Sequence, residues 1–126
     1  MTVIDASAAL EIALARPAGL ALLDRDREWH APHLIDIEVL HALRRWTLRG
    51  DLSDTRCKIA LDDYERIGII RYPHEPLLDR IWQLKDNVSA FDAAYIALAE
   101  RLGGALVTMD KRLEKAFLTH GRARLI

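Results

Sequence analysis

Four carboxylates in this chain stand where their neighbours give each a reason to face one place. Asp5 follows the short apolar run Thr2-Val3-Ile4, and Asp110 lies just past Ala105-Leu106-Val107-Thr108. Runs that short and that apolar suit buried strands of a parallel sheet covered on both faces. If both strands are central and parallel, Asp5 and Asp110 emerge at the same sheet edge, the carboxyl edge where open α/β sheets bind ligands. Glu38 and Asp92 sit on helices. Glu38 lies next to an apolar stripe, one turn from Ile35 and one turn from Ala42, and Asp92 lies in the first turn of an apolar helix. An unpaired carboxylate beside a core is costly, and four together repel one another unless a cation neutralises them. A hard divalent cation removes both difficulties. Mg²⁺ suits carboxylate oxygens and completes its octahedron with water and substrate phosphate. Two such ions, about 4 Å apart, activate water and stabilise a leaving oxygen in phosphodiester hydrolysis.

Each acid also has a structural explanation. Asp110 before Lys111-Arg112-Leu113 is a good helix N-cap, Ser89-Ala90-Phe91-Asp92 has the S-x-x-D form of a capping box, and Asp5 can cap the helix that follows it. Glu38, in mid-helix, has no capping role but can pair with His41 or Arg45 on its own side. Only convergence in space separates a site from four unrelated caps and pairs.

The elements that must position these groups follow from periodicity and punctuation. Residues 2–5 read as a strand. Ser7 is expected to cap a helix over 8–15, with Glu11 near its first turn, and Pro17 to open a second helix over 18–24. Residues 29–32 form a second strand ending at Pro32. The longest helix spans 33–49, with Ile35, Val39, Ala42, Leu43 and Trp46 as its core stripe, and Gly50 stops it. Ser53 caps a helix running to Ile67, a third strand covers 69–72, and 75–85 is helical. Phe91, Tyr95, Leu98 and Leu102 form the apolar stripe of the next helix, which Gly103 and Gly104 end. After Asp110 a last helix covers 111–119, and 123–126 adds an edge strand. Strands alternating with helices predict an α/β domain of three layers, α/β/α, with a short parallel sheet flanked by helices. Residues 1–126 show no repeat, low-complexity stretch or linker, so one domain is expected.

Composition narrows the classes. The chain has 126 residues, 51% hydrophobic and 29% charged, which fits a soluble globular protein. Its single cysteine, Cys57, excludes an internal disulfide and fits a reducing compartment. No apolar run approaches the roughly 18 residues of a membrane span, and no basic leader precedes Thr2, so a cytoplasmic protein without membrane attachment is expected. A net charge of −1 gives no global attraction for nucleic acid, so such a partner must be held by a local basic patch or by metal ions.

The residues together resemble a known family. Val3-Ile4-Asp5-Ala6-Ser7-Ala8, then Pro32 with Ile37-Glu38-Val39 and Ala42-Leu43-Arg44-Arg45, then Phe91 to Ala99, and finally Leu106 to Leu113 are similar, in order, to PIN-domain ribonucleases, and within them to the VapC-type toxins of bacterial and archaeal toxin–antitoxin pairs. The resemblance implies a PIN-like α/β/α domain in which Asp5, Glu38, Asp92 and Asp110 hold Mg²⁺ or Mn²⁺, with Ser7 and Thr108 supporting them through hydrogen bonds. It implies cleavage of single-stranded regions of tRNA, rRNA or mRNA, a homodimer, and a cognate antitoxin protein that blocks the groove. Phe91 stands where many relatives carry tyrosine, and Lys111 and Arg112 stand where some branches carry a further acid.

Arg45 and Arg112, beside Glu38 and Asp110, are candidates for holding RNA phosphates, as are Arg44 and Arg49; each also fits a solvated helix face. Asn87 fits a cap or a polar ligand. The His30-Ala-Pro-His33 spacing does not suit a metal pair, and His41, His74 and His120 have no identifiable partner. Trp29, Trp46 and Trp82 read as core or interface anchors. No glycine-rich phosphate loop, nucleophile elbow or cysteine cluster is present. Two alternatives remain: a Mg²⁺-binding phosphoacceptor receiver-like signalling domain, which wants an acidic pair after the first strand, and a catalytically silent module of the same fold.

Overall fold

The structure is a computed structural model that describes residues 1–23 and 28–122 with their side chains, and the backbone of 124–125. Five strands alternate with helices: β1 (Thr2–Ile4), α1 (Ala6–Ala13), α2 (Pro17–Leu23), β2 (Trp29–Pro32), α3 (Ile35–Arg49), α4 (Asp54–Arg66), β3 (Ile70–Tyr72), α5 (Leu78–Gln83), α6 (Ala90–Arg101), β4 (Ala105–Val107), α7 (Lys111–His120) and β5 (Arg124–Leu125). All pairings are parallel, in the order β3-β2-β1-β4-β5. The chain therefore builds outward from β1 in one direction, then crosses back and builds outward in the other. The topological switch lies between β1 and β4, where splayed connections leave a crevice beyond the strand ends. Asp5 and Asp110 flank that crevice. The backbone N–H of Asp5 donates to the Val107 carbonyl at 3.2 Å, so the β1–β4 ladder runs to the last residue before the crevice.

Helix α6 is the centre of the molecule. It packs on β1, β2 and β4 and against α5, and every residue from Ala93 to Ala99 is buried. A helix apolar on all sides belongs inside a core. Its small residues at 93, 94, 97 and 99 let the sheet approach closely. The expected stripe of Phe91, Tyr95, Leu98 and Leu102 is therefore too narrow, and its first member is misplaced: Phe91 is 65% exposed. Helices α1 to α4 pack together as a separate group.

Several boundaries moved for local reasons. Asp5, not Ser7, caps α1, because its carboxylate accepts from the Ala8 N–H and leaves Ser7 inside the first turn. Residues 75–85 split into a 3₁₀ turn, Glu75–Leu77, ahead of α5. Ser53 and Ser89 cap α4 and α6 as expected, and Gly50 ends α3 in the left-handed region at φ 77°. Asp24, the expected end of α2, and Ala123 and Ile126 of the last strand lie outside the described residues.

Ala15 takes a left-handed φ of 54° between α1 and α2, and the two helices cross at 95°. Gly19 lets α2 sit directly on α1, since a Cβ there would land in the backbone of Glu11 and Ile12. Gly19→Ala should cost about 1–3 kcal/mol, the usual penalty for overpacking. Urea denaturation read by circular dichroism measures it, and an unchanged midpoint would show that α2 can move away freely.

Candidate active site

A groove of about 760 Å³ opens at the switch point, and Asp5, Glu38, Asp92 and Asp110 all line it. Chain elements far apart in sequence bring them there. Asp5 follows β1 as the N-cap of α1, Glu38 comes from the first turn of α3, Asp92 from the first turn of α6, and Asp110 from the N-cap of α7. All four therefore sit at helix N-termini, where the backbone dipole favours negative charge.

Asp5 is only 5% exposed and is held by three donors. Ser7 Oγ donates to its Oδ1 at 2.8 Å, the Ala8 N–H to Oδ1 at 3.0 Å, and Thr108 Oγ1 to its Oδ2 at 2.5 Å. A hydroxyl has one proton, so both protons are spent on this carboxylate. Their lone pairs accept in turn: Ser7 from the Met109 N–H at 2.9 Å and Thr108 from the Asp110 N–H at 2.9 Å. Ser7 and Thr108 thus tie the start of α1 to the loop after β4 and fix Asp5 relative to Asp110.

Glu38 accepts a 2.6 Å hydrogen bond from Tyr95 on α6. This pairing replaces the expected partners His41 and Arg45, because the flank of Glu38 faces α6 rather than its own helix surface. Burial, with Glu38 nearby, pushes the Tyr95 phenol far above its ordinary value, so Tyr95 remains a donor. Asp110 Oδ1 caps α7 through the N–H groups of Arg112 at 2.9 Å and Leu113 at 3.4 Å. The Arg112 guanidinium stands 3.6 Å from Asp92 Oδ2 and 3.9 Å from Asp110 Oδ2.

Electrostatics distinguishes these acids from a paired one elsewhere. Burial pushes the carboxyl of Asp5 upward, with Asp110 adding to it. Burial also raises Glu38, and the charges of Asp5, Asp92 and Asp110 add to that. Asp92 is raised by burial and by Asp110, although Arg112 pulls it back. Asp36 on the same helix as Glu38 shows the opposite. Burial works against its charge, but Arg71 and Tyr64 overcome that and lower it. Arg71 meets Asp36 with two 2.8 Å bonds and Tyr64 donates at 2.6 Å. That trio ties α3 to α4 and β3 and stands apart from the groove.

The remaining candidates divide cleanly. Arg45, Arg112, Trp46 and His41 line the groove, whereas Arg44, Arg49 and Asn87 are exposed outside it. Trp82 is 69% exposed, with Lys85 Nζ 4.8 Å from its ring centre, and is not a core anchor. His30 bonds Tyr72 at 2.6 Å, and His74 accepts from the Leu34 N–H at 3.0 Å. Sequence reasoning missed Arg16, which also lines the groove, paired to Glu11 at 3.1 Å and 5.6 Å above the Trp46 ring. It also missed exposed Phe91 as a groove wall. The only signal for Arg16 is the left-handed turn at Ala15, which sequence does not reveal.

Among the described residues no three acid, histidine or cysteine groups form a closed ligand set. The donor chemistry nevertheless fits a hard cation. Every acid in the groove offers oxygen, and Mg²⁺ takes only one or two protein carboxylates at a time.

Residues 2–117 match the PIN domain. VapC ribonuclease Mb0985 of Mycobacterium bovis is 44% identical over 113 residues, covering 90% of this chain and 88% of the relative. Ribonuclease VapC1 of Mycobacterium tuberculosis is 40% identical over 118 residues, covering 90% and 89%. In fold, the chain is similar to PAE2754 from Pyrobaculum aerophilum, with a TM-score of 0.74 at 20% identity over 98% of this chain and 81% of that one.

A pH dependence of stability follows from the raised carboxyls. The folded protein binds their protons more tightly than the unfolded chain does. The stability they lend is full below their ordinary values and is lost as pH rises through the folded ones. Glu38→Gln should therefore raise the urea midpoint at pH 7, and the gain should shrink to nothing below the ordinary glutamate value of 4.5. Equal midpoints at pH 7 would mean that Glu38 carries no electrostatic penalty.

Proposed function

The chain belongs to the PIN-domain family, in its VapC ribonuclease branch, and on that premise we propose that it is a divalent-metal-dependent endoribonuclease acting as the toxin of a toxin–antitoxin pair. The observation that carries this is the convergence of Asp5, Glu38, Asp92 and Asp110 on one groove, three of them with carboxyls raised by burial and by each other. The substrate is single-stranded RNA, the cofactor Mg²⁺ or Mn²⁺, and the setting the cytoplasm, without a membrane partner. A single PIN-like domain spans residues 1–126. A cognate antitoxin that occupies the groove and a homodimer complete the proposal.

Asp5, Glu38, Asp92 and Asp110 would hold the cation. When bound, it lowers the pKa of water and stabilises charge on a phosphate oxygen. This chain's own residues do the rest. Ser7 and Thr108 aim Asp5 and oppose the upward push of burial on its carboxyl by giving it both of their hydroxyl protons. Tyr95 fixes the rotamer of Glu38. Arg45 and Arg112, on opposite walls, supply charge-assisted donors to the RNA backbone, which the overall charge of −1 does not attract. No covalent intermediate is needed: among the described residues no cysteine or lysine lines the groove, and the Ser7 hydroxyl gives its proton to Asp5 rather than to a histidine.

A receiver-like switch is disfavoured by topology as well as family. Its phosphoacceptor would end a central strand, whereas β3 lies at the sheet edge and ends in Tyr72. A silent module would have no need to keep four acids in mutual repulsion.

Purified protein should cut RNA with Mg²⁺ or Mn²⁺ and stop with excess chelator. Asp5→Asn and Asp92→Asn should each lose at least about 100-fold, and Thr108→Val about 10–100-fold, the range found when outer partners of metal ligands are removed. Sequencing of RNA 5′ ends after brief incubation reads the outcome. Cleavage that survives chelation or both Asn variants would remove the metal-dependent reaction.

A further inference from the structure

Arg112 is placed where local electrostatics alone would not put it. It is the second residue of α7, at the positive end of the helix dipole, and Lys111 precedes it. Cations are disfavoured there. What offsets this is the pair of carboxylates in front of it, Asp92 Oδ2 at 3.6 Å and Asp110 Oδ2 at 3.9 Å. Both separations are too long for good hydrogen bonds, and the Arg112 side chain is 80% exposed. The guanidinium is therefore held by charge alone, loosely, by oxygens that also face the groove. By contrast, Arg71 grips Asp36 with two 2.8 Å bonds and Arg80 grips Glu100 at 2.8 and 3.0 Å. Those ion pairs are built to stay; the one at Arg112 is not.

We propose that Arg112 is a displaceable counter-ion: it neutralises Asp92 and Asp110 until a divalent cation takes the same carboxylates, and is then released to bind the RNA phosphate beside them. The inference rests on the metal-dependent function proposed above and adds an order to it. A cation at Asp92 and Asp110 removes the attraction that holds Arg112 and replaces it with repulsion from the metal and from the helix dipole. The side chain is free to swing, because its backbone anchor, the N–H capped by Asp110 Oδ1 at 2.9 Å, does not depend on the guanidinium. A phosphate brought to the metal then offers the nearest new anion. Arg112 is thus a positioning residue whose effects on the two ligands have opposite signs.

That sign reversal is the test, with readouts other than activity. Mn²⁺ binding is measured by isothermal titration calorimetry on the full chain, for wild type, Arg112→Gln and Arg112→Lys. Binding of a labelled single-stranded oligoribonucleotide is measured by fluorescence anisotropy in Ca²⁺, with the RNA checked on a gel for intactness. Arg112→Gln should bind Mn²⁺ about two- to fivefold more tightly, the scale of an exposed ion pair, and RNA several-fold more weakly. Arg112→Lys, which keeps the charge, should fall between the two on both readouts. A purely structural Arg112 would weaken both ligands or neither. Mn²⁺ binding by Arg112→Gln no tighter than wild type overturns the inference while leaving the metal site standing. Absence of Mn²⁺ binding by wild type overturns the metal-dependent function itself.

Discussion

Mutual repulsion of carboxylates at the carboxyl ends of β1 and β4 is the constraint around which this molecule is arranged. A chain free to minimise its energy would keep Asp5, Glu38, Asp92 and Asp110 apart. Here β1 and β4 are adjacent and parallel, so the loops that follow them share one crevice, and α6 lies across both strands to add Asp92. The cost is met locally and only in part. Helix N-termini favour all four acids, two hydroxyls and a backbone N–H serve Asp5, a phenol serves Glu38, and one loose guanidinium serves Asp92 and Asp110. The rest of the core must carry the remainder, which is a common pattern where function and stability compete.

Capping engages one oxygen of Asp110 and leaves the other to the groove, whereas both oxygens of Asp5 accept hydrogen bonds. Asp110 spends Oδ1 on the first turn of α7 and leaves Oδ2 toward the groove. The capping explanation available from sequence is therefore true for Asp5 and Asp110 and yet does not compete with a catalytic one. A helix N-cap has a fixed direction, and at the end of a parallel strand that direction is into the crevice. The fold obtains precise aim from residues that would be needed to start the helices anyway.

The architecture was legible because its signals are local. Ser53 and Ser89 announce helix starts, Gly50 and Gly103 helix ends, and the short apolar runs at 2–4 and 105–107 announce buried strands. The acids were legible as types at strand and helix ends. What sequence could not supply was direction across space. The Tyr95–Glu38 bond joins residues 57 positions apart, and nothing in either helix names the other. Phe91 looked like the head of a core stripe because periodicity assumes one buried face, whereas α6 is buried all round from Ala93 to Ala99 and open to solvent only toward its ends. Arg16 reaches the groove only because Ala15 adopts a left-handed turn, a conformation for which alanine gives no warning. The Asp5–Ser7 exchange of capping roles is a matter of two residues and of which oxygen faces the helix.

The charges lining the groove also impose an order on its ligands. Five acids line the groove with Arg45, Arg112 and Arg16, and Arg16 is already paired with one of them, Glu11. The groove is therefore unwelcoming to a polyanion, and the whole chain, at −1, offers no compensating long-range pull. RNA can settle there only after cations have reversed the local sign. On the function proposed above, one divalent ion would begin that reversal by neutralising carboxylates, and Arg45 and Arg112 would complete it. Binding of metal and binding of RNA are then coupled through the same few carboxylates, and by linkage each must strengthen the other. A groove organised this way discriminates against phosphate chains that arrive without the ion needed to cut them.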